Sequence, residues 1–244
     1  MNPELGIWLA IFKIVFGFAL LIGIHEFGHA ICAWLFKVKI HKFSIGMGPG
    51  FTFKNVPMVN TLIISPIVIG GYVQVDMEAV ESLPLWKRMF FYSGGMLMNV
   101  LTGAVLLALI GNNFFIALWK CFFIWIAGWP IFFWALFSGQ VGGAEVASSA
   151  VGPIGIGHMM LSDNFHYLGT LALLNVVIAM MNLLPIPPLD GGYMLRAILE
   201  KIIGKKWAMR VWTGLLYVGL PALLALVIYA TGNDIANLLH PPTK

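Results

Sequence analysis

The chain has 244 residues, of which 60% are hydrophobic and only 10% charged, whereas an ordinary soluble domain carries roughly 25% charged residues. That much apolar surface cannot be hidden inside a soluble domain of this length, so lipid must cover part of it. The formal net charge of +4 is read by position: it points to basic loops on the cytoplasmic side of a membrane and not to nucleic acid.

Residues 5–36 form one long apolar stretch interrupted by Lys13 and by His25, Glu26 and His29. This exceeds the roughly 20 residues a transmembrane helix needs. No basic segment precedes it and no small-residue cleavage site closes it, so a retained helix is expected and not a signal peptide. Residues 37–75 mix Lys37, Lys39, His41, Lys42 and Lys54 with Gly, Pro and short β-branched runs. The pattern predicts short strands joined by turns, a β-hairpin-like loop after the first helix.

Lys87-Arg88 precede a second span at about residues 89–110. Residues 114–137 are aromatic, with Trp119, Trp125, Trp129 and Trp134, and are interrupted by Lys120, Gly128 and Pro130. Residues 138–157 are rich in Gly and Ser and contain Gly152-Pro153. A third span at about 168–184 ends in Pro185-Ile186-Pro187-Pro188-Leu189-Asp190-Gly191-Gly192. The basic stretch 196–210 leads into a last span at about 211–230.

Loops 37–54, 87–88 and 196–210 hold most of the Lys and Arg and are expected on the cytoplasmic side. If 114–137 made one full crossing, parity would place Asp190 outside. Each half around Pro130 is too short to cross, so the segment is read as interfacial or re-entrant, its Trp residues at headgroup level. The expectation is an all-α polytopic membrane protein with about four transmembrane helices, residues 1–244 forming one domain without internal repeats. Cys32 and Cys121 lie in apolar runs and form no disulfide framework.

Chemistry concentrates in His25-Glu26-Phe27-Gly28-His29. Histidines at i and i+4 share a helix face and can reach one metal, while the glutamate beside the first can take a proton from water that a zinc ion has activated. Inside a membrane helix each ionisable residue costs about 2.5–3.5 kcal/mol by insertion scales, which argues for function. A polar helix–helix contact is the structural alternative. Catalytic zinc needs a third protein ligand and an open position. Asp190, behind a proline-broken helix end, is the other acid well placed in apolar surroundings; its alternative is a helix N-cap for the segment from Gly191. His41, His158, His166 and His240 lie in or beside polar or basic segments or the tail and read as surface.

The His25–His29 motif, together with Asn182-Leu183-Leu184-Pro185-Ile186-Pro187-Pro188-Leu189-Asp190-Gly191, resembles the site-2 protease family. The bacterial branch that includes the sigma-E regulator protease is the most similar. Lys42-Phe43-Ser44-Ile45-Gly46, Ile69-Gly70-Gly71-Tyr72-Val73, Gly95-Met96-Leu97-Met98-Asn99 and Gly152-Pro153-Ile154 extend the likeness over about residues 20–210.

The resemblance implies intramembrane proteolysis with Zn2+ held by His25, His29 and Asp190, Glu26 as base, and Asn182 holding the substrate backbone. It also implies that the 39–75 β-structured loop is membrane-associated and can pair with an unwound substrate. The implied partners are the lipid bilayer and a single-pass membrane substrate, such as an anti-sigma factor or a signal-peptide remnant. The implied setting is the bacterial inner membrane, with the active site toward the cytoplasm. Relatives in that branch carry PDZ domains where this chain has only the aromatic segment, which is then a candidate membrane-level gate. A transporter and an inactive protease homologue are the competing readings; the former lacks an inverted repeat, and the latter has no need of Glu26.

Overall fold

The computed structural model describes residues 3–138, 155–157 and 164–239. Gly152-Pro153, His158, His240 and the side chain of His166 lie outside what is described. Helix α1 spans Pro3–Leu35. Four strands follow, β1 (Ile40–Met47), β2 (Phe51–Val56), β3 (Val59–Ile64) and β4 (Ile67–Val75). Then come α2 (Met77–Ser82), α3 (Leu85–Leu109), α4 (Phe114–Phe137), α5 (Asn164–Asn182), α6 (Asp190–Ile203) and α7 (Lys205–Leu239).

The segment expected to be hairpin-like is a four-stranded sheet in the order β2-β3-β1-β4, so the fold is mostly but not wholly helical. Antiparallel β2–β3 is the local hairpin, with Phe53 opposite Leu62. The register beyond it is not local: β1 pairs β3 in parallel, Lys42 opposite Thr61, and β4 antiparallel, Phe43 opposite Val73. This leaves β4 as an edge strand, and β1 and β4 both pack on α1. Asp76 then ends the sheet and caps α2, its carboxylate accepting from the Ala79 N–H at 3.1 Å.

Helix α3 is the centre of the bundle and touches α1, α4, α5 and α6. Where α1 and α3 meet, Gly28 faces Gly94, and a Cβ on Gly94 would lie 2.7 Å from the Gly28 carbonyl oxygen. Two glycines therefore let the backbones close on each other directly beside the histidine motif, as small residues do between membrane helices. Met96, Val100 and Ala104 of α3, Cys121 and Trp125 of α4, and Val176 and Ala179 of α5 form one buried cluster.

Helix α4 is one continuous helix, where the sequence reading divides it at Pro130. It starts at Asn113, whose side chain accepts from the N–H groups of Phe115 and Ile116 at 3.0 and 3.2 Å, and it continues unbroken through Pro130. Cys121 lies near Gly103, while Trp125 and Ile126 share a groove with Phe90 and Ser93, so α4 runs antiparallel to α3. The Trp129 indole N–H donates to the Met180 carbonyl at 2.7 Å.

Four described helices are long and apolar enough to cross a membrane: Trp8–Leu35, Leu85–Leu109, Phe114–Ala135 and Lys205–Asn237. The number matches the expected four, but the membership changes: the aromatic segment is included, and the apolar part of α5, Tyr167–Asn182, is shorter than the others.

Candidate metal centre

His25 and His29 sit one turn apart on the inner face of α1, both buried. Asp190 reaches them from α6. The turn before α6 explains how: residues 183–189 curl over Gly191 and Gly192, and a Cβ on Gly192 would stand 2.6 Å from the Pro187 nitrogen. Two side-chain-free positions let the proline-rich turn fold tightly and aim the first residue of α6 back at α1. Leu189, not Asp190, is the N-cap. The capping alternative is therefore corrected: Asp190 stands in the first helical turn with its carboxylate directed at the imidazoles.

Asp190 Oδ2 lies 3.0 Å from His25 Nε2 and 3.3 Å from His29 Nε2, and the two Nε2 atoms are 3.3 Å apart. Ligands bonded tetrahedrally to zinc at 2.0–2.1 Å stand about 3.3 Å from one another. These three residues are the one group of potential metal ligands with this proximity among the described residues.

The tautomers fit as well. His29 Nδ1 lies 2.9 Å from the Phe91 carbonyl oxygen, which can only accept, so Nδ1 carries the proton and Nε2 offers its lone pair. That lone pair faces the Nε2 of His25 and a carboxylate oxygen in a buried space, an arrangement that a shared cation satisfies.

Gly95 of α3 closes the site from behind: a Cβ there would lie 2.6 Å from His29 Nε2 and 2.7 Å from His25 Nε2. In the sequence Gly95 stands only within a motif of the family likeness. Its role depends on where α3 crosses α1, which local spacing does not reveal.

Glu26 points away from the helix–helix seam toward the sheet, where its Oε2 accepts from the backbone N–H of Val73 on β4 at 2.9 Å. A cavity of about 340 Å³ opens beside it, lined by His25, Glu26, His29, Asn182 and Asp190, with Val73 and Val75 as its sheet wall. Tyr92 and Tyr193, which sequence reasoning missed, also face it. Asn182 is the last residue of α5, and its side-chain N–H donates to the Ile178 carbonyl at 3.0 Å. All five residues singled out from the sequence thus meet at one cavity; His41 stays apart on β1.

Comparison with known proteins agrees with this geometry. Residues 13–226 match the profile of Peptidase family M50. Similar proteins whose names propose a zinc metalloprotease include one from Campylobacter jejuni, 41% identical over 68 residues, 28% of this chain and 18% of that protein. One from Thermotoga maritima is 36% identical over 109 residues, 39% of this chain and 21% of its own length. A third, from Clostridium acetobutylicum, is 34% identical over 115 residues, 43% of this chain and 33% of its own length. The chain therefore aligns with about a third or less of each of these relatives.

Proposed function

This chain belongs to peptidase family M50, and from that premise we propose that it is an intramembrane zinc endopeptidase. Its substrate is a single-pass membrane protein, cut in or near its transmembrane helix. The observation that carries this reading is the meeting of His25, His29 and Asp190 within 3.0–3.3 Å on a cavity that Glu26 also lines.

Zinc, the metal named in the relatives, would be held by His25 Nε2, His29 Nε2 and Asp190, and supplies Lewis acidity that lowers the pKa of water toward about 7 and polarises a carbonyl. Every other part of the reaction falls to the chain's own groups. Glu26 accepts the proton of the attacking water and returns it to the leaving amine nitrogen, so its carboxylate is unchanged over the cycle. The Phe91 carbonyl keeps the His29 proton on Nδ1 throughout.

Asn182 has an amide oxygen free to accept from a substrate N–H, and its N–H2 can donate to the scissile carbonyl as negative charge develops there. The outer edge of β4, whose Val73 N–H is held by Glu26 Oε2, is where an unwound substrate can add as a further strand, its carbonyl taking over that N–H as Glu26 turns to the water. Peptide bonds in a helix are shielded by their own hydrogen bonds, so pairing with a strand edge exposes the bond that Glu26 must reach. The Lys- and Arg-rich loops support a cytoplasmic-side placement of this cavity, and the likeness to the bacterial branch supports an inner-membrane setting.

Metal analysis and cleavage assays on detergent-purified protein test the proposal together. Wild type and Glu26→Gln are expected to hold about one zinc per chain, and Asp190→Ala markedly less. Cleavage of a membrane-anchored substrate is expected in wild type only. Zinc-free folded wild type would sink the proposal and favour a transporter or inactive homologue; proteolysis by Glu26→Gln would remove the assigned base.

A further inference from the structure

Away from the metal centre, two cavities meet where α3 begins. The larger, about 740 Å³, is an apolar groove between α3, α4 and α6, walled by Trp86, Phe90, Trp125, Ile126 and Met194. The smaller, about 290 Å³, lies between α3 and α6 and is lined by Arg88, Glu200 and Lys201 with Leu85 and Ala197. Leu85 and Lys201 border both, so the groove runs into the charged pocket.

Arg88 and Lys201 line the pocket against a single acid, Glu200, and that acid is also engaged by the ion pairs behind it. Arg88 and Arg196 are both buried, and the Glu200 carboxylate is shared between them, 2.7 Å from Arg88 Nη2 and 3.5 Å from Arg196 Nε. Glu81 is likewise shared, 2.8 Å from Arg196 and 2.8 Å from Lys205. Two carboxylates therefore serve three cations. Lys201 adds a fourth positive charge with no acidic partner among the described residues, and the buried Nε of Arg88 has no hydrogen-bond partner. An anion is what this pocket lacks, and an apolar chain is what the adjoining groove can cover.

We propose that the composite cavity binds an anionic phospholipid, its phosphate beside Arg88 and Lys201 and an acyl chain in the groove between α3 and α4. Neither simpler ligand uses both parts. A free phosphate leaves the groove empty, and a zwitterionic lipid brings a cation into a site already rich in them. Trp86, largely exposed at the mouth, suits headgroup level, and basic pockets between membrane helices on the cytoplasmic side are recurrent lipid sites. Met194 stands one turn beyond Asp190 on α6, so the bound chain also braces the helix that presents that carboxylate. The proposal is independent of the proteolytic reading, and its test requires no cleavage.

The test is a native mass-spectrometry titration of the purified protein with phosphatidylglycerol, phosphatidylcholine and inorganic phosphate, followed by thermal unfolding of each mixture. Phosphatidylglycerol is expected to bind as one retained molecule and to raise the unfolding midpoint, with phosphatidylcholine roughly tenfold weaker or more. Lys201→Gln should weaken phosphatidylglycerol roughly fivefold and Lys201→Glu roughly thirtyfold. Ile126→Trp should fill the groove and weaken the lipid while leaving the lipid-free midpoint in place. Lys201 and Ile126 are exposed, so these variants keep the fold. Equal binding of the two lipids, indifference to Lys201→Glu, or a full effect from inorganic phosphate alone would each overturn the proposal.

Discussion

A single methyl group measures how closely α3 is pressed against the ligands. In Gly95→Ala the new carbon would stand 2.6 Å from His29 Nε2, well inside van der Waals contact, so an imidazole or the helix must move. Alanine is about 1 kcal/mol better than glycine in a helix interior, so the fold itself has no reason to fail. The expected outcome is a loss of zinc affinity of about tenfold or more, read by competition with a chromogenic chelator; unchanged affinity would mean that the ring has room to swing aside. At this scale the sequence was informative where chemistry is local. His25, Glu26 and His29 announce themselves because a spacing of four places two imidazoles on one helix face. Asp190 stood out as an acid behind a proline-broken helix end. The Phe91 carbonyl left no trace, and Gly95 and Val73 stood only within motifs of the family likeness, since each acts through a contact between elements distant in sequence.

Among elements, α6 is placed from both ends. Its first residue meets the histidines, and further along Arg196 and Glu200 join an ionic network with Glu81 of α2, Arg88 of α3 and Lys205 of α7. The hydrogen bond from Lys205, helped by the charge of Arg196 and opposed by burial, holds the Glu81 carboxyl below its ordinary pKa of 4.5. A lowered folded-state pKa gives stability that is complete above the unfolded value and is lost as pH falls through the folded one. The unfolding midpoint should therefore drop as pH falls below about 4.5, and Glu81→Gln should flatten part of that drop. Thermal unfolding in detergent across this range checks it, and an unaltered profile in Glu81→Gln would assign the acid sensitivity elsewhere. The β-structure was legible as strands from its β-branched runs. Its order was not, because parallel pairing of β1 with β3 carries no turn signature, and only the β2–β3 hairpin is local.

For the whole molecule, the direction of each helix matters more than the number of spans. Both α4 and α5 run opposite to α3: Cys121 and Ala172 meet near Gly103, and Met180 meets Gly128 and Trp129 further along. Sequence parity instead treated 114–137 as unable to cross, on the premise that Pro130 divides it. A proline removes one backbone donor, but 24 residues of helix with tight contacts to α3 and α5 absorb that loss. A crossing α4 predicts that cysteines at positions 112 and 138 react with a membrane-impermeant reagent from opposite sides. Labelling from one side would restore the interfacial placement.

The division of the ligands between α1 and α6 also has a consequence for biosynthesis. A ribosome delivers His25, Glu26 and His29 with α1, long before Asp190 follows with α6. A partly made chain in the membrane holds Glu26 and two of the three residues proposed to bind zinc, short of the usual set for catalytic zinc. The late aspartate thus defers closure of the three-residue cluster until α6 has been made, so a nascent chain that stops short of α6 exposes its paired imidazoles without their carboxylate.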